Sequence, residues 1–458
     1  MVTLATAACS DDGDPDPRPS QQPSATGKPV EKPREVVFGA YGSDEEVAAF
    51  SDVVDAFNAE SETRQVTLRS WPDHETALAD ILAGDAPDVF LTSRIDLDKL
   101  VEGEALRPVS LLLDERGVDF GDRFSRDAVD AFAMNDDLQC MAYSVSPMVI
   151  YYNTDIVDFD KMERRDFDVP TADDEGIRDR WSFAQFAAAA QFASRRGNRR
   201  GVWIDPTLQG LAPFILSGDG KVFDDDRDPT SLAFSDDSSR EALSETLTIL
   251  RDPTLTPTNA QLARATPVQL FKRGELAMIA GFRSLVPELR DADDLDFDVL
   301  PMPQLDTRAT VGDISGLCLS ATSKVQQDAA DFIAYAVSDD AIAEVSRTGY
   351  IVPANTEVAS SDAFLAPDQE PADAGAFTAS IRYMAVPPFI DEREELVEAV
   401  TPLLERLVTA PGILDLELTT EQIDQASQAV LSPEELEPDP SETPSETPSE
   451  SPGDSSEE

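Results

Sequence analysis

Apolar residues near the start of the chain switch between two periods. Val36-Val37-Phe38-Gly39-Ala40 is a continuous run of strand length, and Ser43-Asp44-Glu45-Glu46 follows it. That segment has the form of a capping box, with Ser at the N-cap and Glu three residues on. Val47, Phe50, Val54 and Phe57 then recur on one helical face. Val66-Thr67-Leu68-Arg69-Ser70-Trp71 is predicted as a second strand, residues 73–83 as a helix and Pro87-Asp88-Val89-Phe90-Leu91 as a third strand. Strands separated by helices predict parallel pairing with right-handed crossovers, and ligands on such sheets bind at the carboxyl ends of the strands. The loops at 41–44, 71–73 and 92–96 are therefore expected on the functional rim. Helix capping alone is a sufficient role for Ser43 and Asp44, and it can coexist with ligand contact.

Farther along, Trp181-Ser182-Phe183-Ala184-Gln185 carries another capping box, opening an Ala-rich helix. Residues 271–281 read as helix end, turn and strand. Helices are predicted over 329–338 and 341–347, with Gly349 suited to the C′ position. Leu396, Val400, Leu403, Leu404 and Leu407 mark an amphipathic helix over 391–408, and 421–431 is predicted as the last helix. The class is α/β throughout.

At 458 residues the chain exceeds the usual size of one domain, which predicts two lobes plus tails. The 41% hydrophobic content suits a folded protein. Ninety acidic against 36 basic residues give a net charge of −54, which argues against nucleic acid and against anionic membrane surfaces. A surface kept soluble in a salty or extracellular setting is the preferred reading of that charge.

The two ends carry different signals. Met1-Val2-Thr3-Leu4-Ala5-Thr6-Ala7-Ala8-Cys9 leads into a stretch rich in Pro, Ser and Gln that runs to about residue 33. It resembles a lipobox and tether, with Thr6 where lipoboxes usually have Leu, and makes Cys9 the candidate lipidation site. Its apolar part is shorter than the ~7–15 residues of a signal-peptide core and no basic region precedes it, so Met1 is expected to lie inside a longer signal peptide. A chance run of small residues ending in a free cysteine is the alternative. No stretch is apolar enough to span a membrane, so lipid at Cys9 is the only anchor expected. From Pro433 onward, repeated Pro-Ser-Glu-Thr units predict a disordered acidic tail.

Cys140 and Cys318 remain, as a disulfide or as two buried thiols. His74 is the only histidine, which removes zinc sites and His-based triads. Asp224-Asp225-Asp226-Arg227-Asp228 and Asp291-Ala292-Asp293-Asp294 lack the glycine and distal glutamate of a calcium loop and read as solvated loops, so no metal and no cofactor is expected.

Five segments in order carry a family resemblance. They are Leu82-Ala83-Gly84-Asp85-Ala86-Pro87-Asp88-Val89, Met141 to Asn153, Trp181-Ser182-Phe183, Phe271-Lys272-Arg273-Gly274-Glu275-Leu276-Ala277-Met278, and Val299-Leu300-Pro301-Met302-Pro303. Together, over residues 35–432, they are similar to the extracellular solute-binding proteins that include the maltose-type binding proteins; Ala142 departs from the Pro usual before the tyrosine. The resemblance implies a two-lobed periplasmic-binding-protein-like (type II) fold, each lobe a sheet flanked by helices, joined by a hinge. Lobe 1 is expected from 34–145 plus 315–365 and lobe 2 from 146–314 plus 366–432. The chain would cross between them near Ser144–Ser146 and Asp313–Gly316, with Ser144, Gly312, Ser315 and Gly316 as hinge candidates that read equally as turn residues.

The implied function is capture of a small solute, most simply a carbohydrate, for an ABC importer, with no catalysis. Sugar hydroxyls need paired donors and acceptors, and their C–H faces stack on aromatic rings. Matched positions make Ser43, Asp44, Thr92, Arg94, Tyr143 and Ser146 ligand candidates on one side, and Phe282, Arg283, Ser284, Trp203 and Gln209 on the other. Arg283 reads either as a fork onto vicinal hydroxyls or as a salt-bridge partner. Trp203, between Val202 and Ile204, reads equally as strand core or stacking platform; Trp181 is expected beneath its capping turn, and Trp71 on the rim without necessarily meeting ligand. The implied partners are permease subunits, the chain itself being a monomer. Two other readings stay open: a surface glycoside-active enzyme, and a sensory lipoprotein without a transporter.

Overall fold

The computed structural model describes residues 34–433, apart from 62, 174–177 and 196–198. Cys9, the tether to residue 33 and the tail beyond 433 lie outside the described residues. Among the described residues, no helix is long and apolar enough to cross a membrane.

The first lobe begins as the periodicity predicts. β1 (Arg34–Tyr41) leads to α1 (Asp44–Glu60), β2 (Arg64–Trp71), α2 (His74–Leu82) and β3 (Val89–Ser93). β1 pairs in parallel with β2 on one side and β3 on the other. The capping box forms at the start of α1: Glu46 N–H donates to Ser43 Oγ, and Ser43 N–H donates to the Glu46 carboxylate at 2.9 Å. Phe50, Val54 and Phe57 are buried against the sheet.

Two long strands then link the lobes. β4 (Cys140–Pro147) runs antiparallel to a strand more than 160 residues later, reached through β5 (Val149–Asn153), β6 (Met278–Gly281) and β7 (Phe297–Pro301). That partner is β8 (Thr310–Ser320), which also pairs antiparallel with β3. β5, flanked by β7 and β6, forms the three-stranded sheet of the second lobe. One apolar core draws on residues 36–145 and 314–358, and a second on 148–311 and 385–423. A third covers the other face of the small sheet and includes Phe364 and Phe377. The cores therefore change partners at 145–148 and 311–314. A further passage runs through 381–390, where Ile381, Met384, Val386 and Phe389 pack on the first core and Ile390 on the second.

The two glycines offered as hinge candidates are not turn residues. Gly312 and Gly316 lie inside β8, and a Cβ at Gly312 would stand 2.3 Å from the Met384 sulfur and from the Ser146 carbonyl oxygen. At Gly316 it would meet the Phe132 ring at 2.7 Å. Both positions need glycine for close packing, and a register shift between Ser315 and Gly316 supplies the local irregularity in the ladder. Nearer the first core, Cys140 and Cys318 are directly paired residues whose sulfurs are joined, with Cα atoms 4.3 Å apart. The link ties both connecting strands together at their first-lobe root.

Of the C-terminal elements, the helix before Gly349 ends at Ser346 with Arg347 as its C-cap, so Gly349, at φ +84°, stands one residue beyond the C′ position expected for it. The last helix starts at Leu416, five residues before the apolar pattern suggested. Asp415 caps it, and Thr419 and Thr420 donate to the carbonyls of Asp415 and Leu416, which lets two β-branched polar residues sit in its first turns.

Candidate functional site

Between the lobes lies a cleft of about 260 Å³ whose lining comes from both sides. Glu46 and Tyr350 belong to the first lobe; Ser144, Ser146, Asp313 and Ser315 to the connecting strands; Gln209, Phe282 and Ser284 to the second lobe. The positions follow from the fold. Glu46 sits in the first turn of α1, beyond the carboxyl end of β1, and α3 (Leu208–Ser217) presents Gln209 in its first turn. Phe282 and Ser284 directly follow β6.

Carboxylates set the electrostatics. The Ser93 hydroxyl, at the carboxyl end of β3, donates to Asp313 Oδ2 at 2.7 Å. Oδ1 of the same carboxylate is buried with no hydrogen-bond partner among the described residues. Burial pushes the Asp313 pKa up, against hydrogen bonds from the Ser93 hydroxyl and the Ile314 backbone N–H that lower it. Asp96 is also buried, and desolvation raises it to about 6; nearby Asp313 adds to the rise, while His74, Lys99 and Arg393 oppose it. Glu46 is raised mainly by burial, with the Ser43 hydrogen bonds pulling the other way. Tyr41 remains a neutral phenol, its pKa driven well up by burial and by Asp313, with a hydrogen bond to Ser315. The arrangement offers oxygen acceptors, hydroxyls that donate or accept, and one amide, flanked by two aromatic rings.

Of the residues singled out by sequence, Ser144, Ser146, Gln209, Phe282, Ser284 and Ser315 meet in this cleft. Ser43 stands at its edge, sharing the capping box with Glu46 and a hydrogen bond with Tyr350. Asp44 is exposed and outside the lining.

Others are corrected by their burial. Arg283 is 1% exposed and lies behind the small sheet, its guanidinium 4.7 Å from the Phe364 ring centre and 5.2 Å from that of Phe377. It donates to the Phe364 carbonyl, and desolvation lowers its pKa to about 10. Neither the proposed fork onto ligand nor a carboxylate partner is found there. Tyr143 is 2% exposed and packs on Phe50 in the first core, because side chains alternate along β4 and its neighbours Ser144 and Ser146 take the cleft positions. Thr92 is buried within the sheet at 4% exposure.

Trp203 resolves as strand core. It belongs to the third cluster, forms a bridge with Ile279 and donates from its indole to Asp205. Trp181 is buried beside its capping turn and donates to the Pro301 carbonyl. Trp71 is buried, its indole donating to Asp80. None of the three tryptophans lines the cleft. Arg94 instead clamps the 381–390 passage: it donates to the Pro387 carbonyl and lies 3.8 Å from the centre of the Phe389 ring.

Sequence reasoning missed Glu46, Asp313 and Tyr350 as cleft residues. Glu46 was counted only as a cap, and Asp313 only as the start of a hinge. The readable signal was a charged residue inside an otherwise apolar strand, Val311-Gly312-Asp313-Ile314, which is costly to bury without a task.

Comparison with known proteins adds a family and a set of folds. Residues 52–372, well over half the chain, match the family model described as bacterial extracellular solute-binding protein. No curated protein sequence matches the chain. Among solved structures, it is similar to an ABC substrate-binding protein from Listeria monocytogenes in complex with cycloalternan, at TM-score 0.71 and 20% identity over 89% of this chain and all of that one. It is also similar to the sugar-binding protein MalE of Xanthomonas citri, at TM-score 0.71 and 18% identity over 88% of this chain and 98% of that one. The GacH receptor of Streptomyces glaucescens, solved unliganded and with acarbose, gives TM-score 0.67 and 16% identity over 88% and 99%. At these identities the likeness is one of fold: a two-lobed, maltose-binding-protein-like α/β architecture.

Proposed function

The chain belongs to the family of bacterial extracellular solute-binding proteins, and on that premise we propose that it captures a small carbohydrate between its lobes and delivers it to the permease of an ABC importer. It binds its solute and does not transform it. The observation that carries this reading is the convergence, in one cleft between the lobes, of Asp313 and Ser146 from the connecting strands with Gln209 and Ser284 from the second lobe. Sugar hydroxyls both donate and accept, and Gln209, Ser146 and Ser284 supply partners of both kinds beside the Asp313 carboxylate. Phe282 and Tyr350 offer rings for the C–H faces.

Closure would complete the site, since neither lobe alone surrounds the solute. Ser43 and Arg94 are edge residues in this account, Ser43 reaching ligand through the Glu46 and Tyr350 network and Arg94 holding the passage beside the cleft. Lobe boundaries near 145 and 314, a monomeric state and a lipid anchor at Cys9 on the outer face of the membrane belong to the same proposal. Similar folds in proteins named for sugars support it.

A thermal-shift screen of the purified chain against mono-, di- and oligosaccharides, polyols and amino acids tests the proposal. A ligand at a hundredfold excess over its dissociation constant adds ~2.7 kcal/mol of stability. The expected result is a shift with one class of sugar and full recovery of that sugar afterwards. A shift only with amino acids removes the carbohydrate assignment, and consumption of the sugar makes the protein an enzyme.

A further inference from the structure

Beside the polar cleft the second lobe holds a separate cavity of about 370 Å³, within the ~300–1,000 Å³ of ordinary ligand sites. Its walls are aliphatic: Leu208, Leu216, Val222, Ile390, Val400 and Leu404 carry most of them, with Phe223 at one side. It lies between α3, which presents Gln209, and α4 (Arg393–Thr409), with the 385–390 passage closing it on the side of the first lobe.

Two residues join this cavity to the cleft. Gln209 lines both. Arg393 lines the cavity and interacts electrostatically with Asp313 and Asp96, the two buried carboxylates at the cleft. Arg393 also donates to the Pro388 carbonyl at 3.0 Å, so the wall between the two spaces is held by a defined contact. The passage is fixed from the other lobe by Arg94 at the Pro387 carbonyl.

The chemistry of the two spaces differs. The cleft is polar, and all three tryptophans are committed to cores elsewhere, so it lacks the broad indole platforms that hold the apolar faces of a long oligosaccharide. The neighbouring walls are branched aliphatic side chains, which present no flat ring for stacking and match an alkyl or acyl group. Water in such a space has few polar partners, so its displacement by an apolar group is favourable.

We propose that the aliphatic cavity is a second subsite, and that the solute is an amphiphilic glycoside whose polar head sits in the cleft while its alkyl or acyl group enters the cavity past Gln209 and Arg393. The inference rests on the carbohydrate reading of the cleft and sharpens it to a substrate class. Leu208 and Leu216, lining side chains that keep exposed surface, determine how long an apolar group is accepted.

The test is calorimetric titration of the full chain with methyl, butyl and octyl glucosides and maltosides below their micelle concentrations, with 1-octanol as a headless probe. For a head group that binds, each methylene that enters the cavity should tighten binding about fourfold, equivalent to ~0.8 kcal/mol, until the cavity is filled. Leu208→Trp, which fills the cavity from a partly exposed wall position, should erase the gain with chain length and leave methyl glycoside binding as it was. Leu216→Phe serves as a second filling variant, and circular dichroism with thermal unfolding shows that each one is folded.

Equal affinity for methyl and octyl glycosides overturns the proposal, as does a gain that survives in folded filling variants. If no glycoside binds but 1-octanol binds saturably and its binding is lost in Leu208→Trp, the apolar subsite stands and the carbohydrate reading of the cleft falls. If neither a glycoside nor 1-octanol binds, the subsite is refuted on its own terms.

Discussion

At the scale of single residues, the cleft is a place where carboxylates are kept partly out of water. Asp96 is the clearest case, because burial holds its folded pKa near 6 and no side-chain hydrogen bond to its helix offsets the cost. A carboxyl with a raised folded pKa retains its proton more tightly in the native state than in the unfolded one. Its contribution is therefore favourable below about pH 4 and is lost as pH rises through about 6. His74, Lys99 and Arg393 reduce this loss and Asp313 increases it. Asp96→Asn should raise stability at pH 7 by about 1–2 kcal/mol and flatten the decline in stability between about pH 4 and 6. Urea unfolding of both proteins across that range checks it, and a variant that is less stable at pH 7 with the slope intact would show that Asp96 is held by partners stronger than its desolvation.

Residues also show where sequence pattern stops being informative. Ser146 and Tyr143 lie three positions apart on one strand, and nothing in their types says which faces the cleft. Alternation along β4 decides it, and the phase of that alternation is set by a pairing partner about 170 residues away. Arg283 reads from sequence as a fork onto vicinal hydroxyls or a salt-bridge partner, yet two phenylalanine rings and a carbonyl hold it inside the second lobe. Those contacts come from residues 364 and 377, far away in sequence, so no local pattern could announce them.

At the scale of elements, local signals were legible wherever one element supplies its own stop and start. Both predicted capping boxes form, at Ser43 with Glu46 and at Ser182 with Gln185. The apolar periodicities of α1 and α4 bury the faces expected of them. The connecting strands were harder, since β8 carries two glycines and an aspartate and reads as a loop until β4 and β3 are placed on either side. Its pairing with β4 is secured by the Cys140–Cys318 link, which closes 178 residues of chain. Replacing both cysteines with alanine should cost about 2–5 kcal/mol, since so long a loop loses much of its freedom when cross-linked in the unfolded chain. Chemical denaturation under non-reducing conditions measures this. An unchanged midpoint would mean that the two sulfurs do not constrain the unfolded chain.

At the scale of the whole molecule, the fold explains why so acidic a protein places its chemistry in one seam. Its acidic residues are spread over exposed helices and loops, while a few carboxylates gather where three passages of chain run between the lobes. The lobes meet through connecting strands whose glycines are needed for close contact, so relative movement must be taken up around them without disturbing the two cores. The most direct test of the account is a calorimetric titration of the full chain with the sugar identified by the screen, repeated on Gln209→Ala. The account predicts saturable one-to-one binding to the wild-type protein, weakened about tenfold by the loss of one cleft amide, in line with ~1–1.5 kcal/mol for a hydrogen bond. Equal affinity in the two proteins would place the sugar elsewhere and contradict the assignment of the cleft.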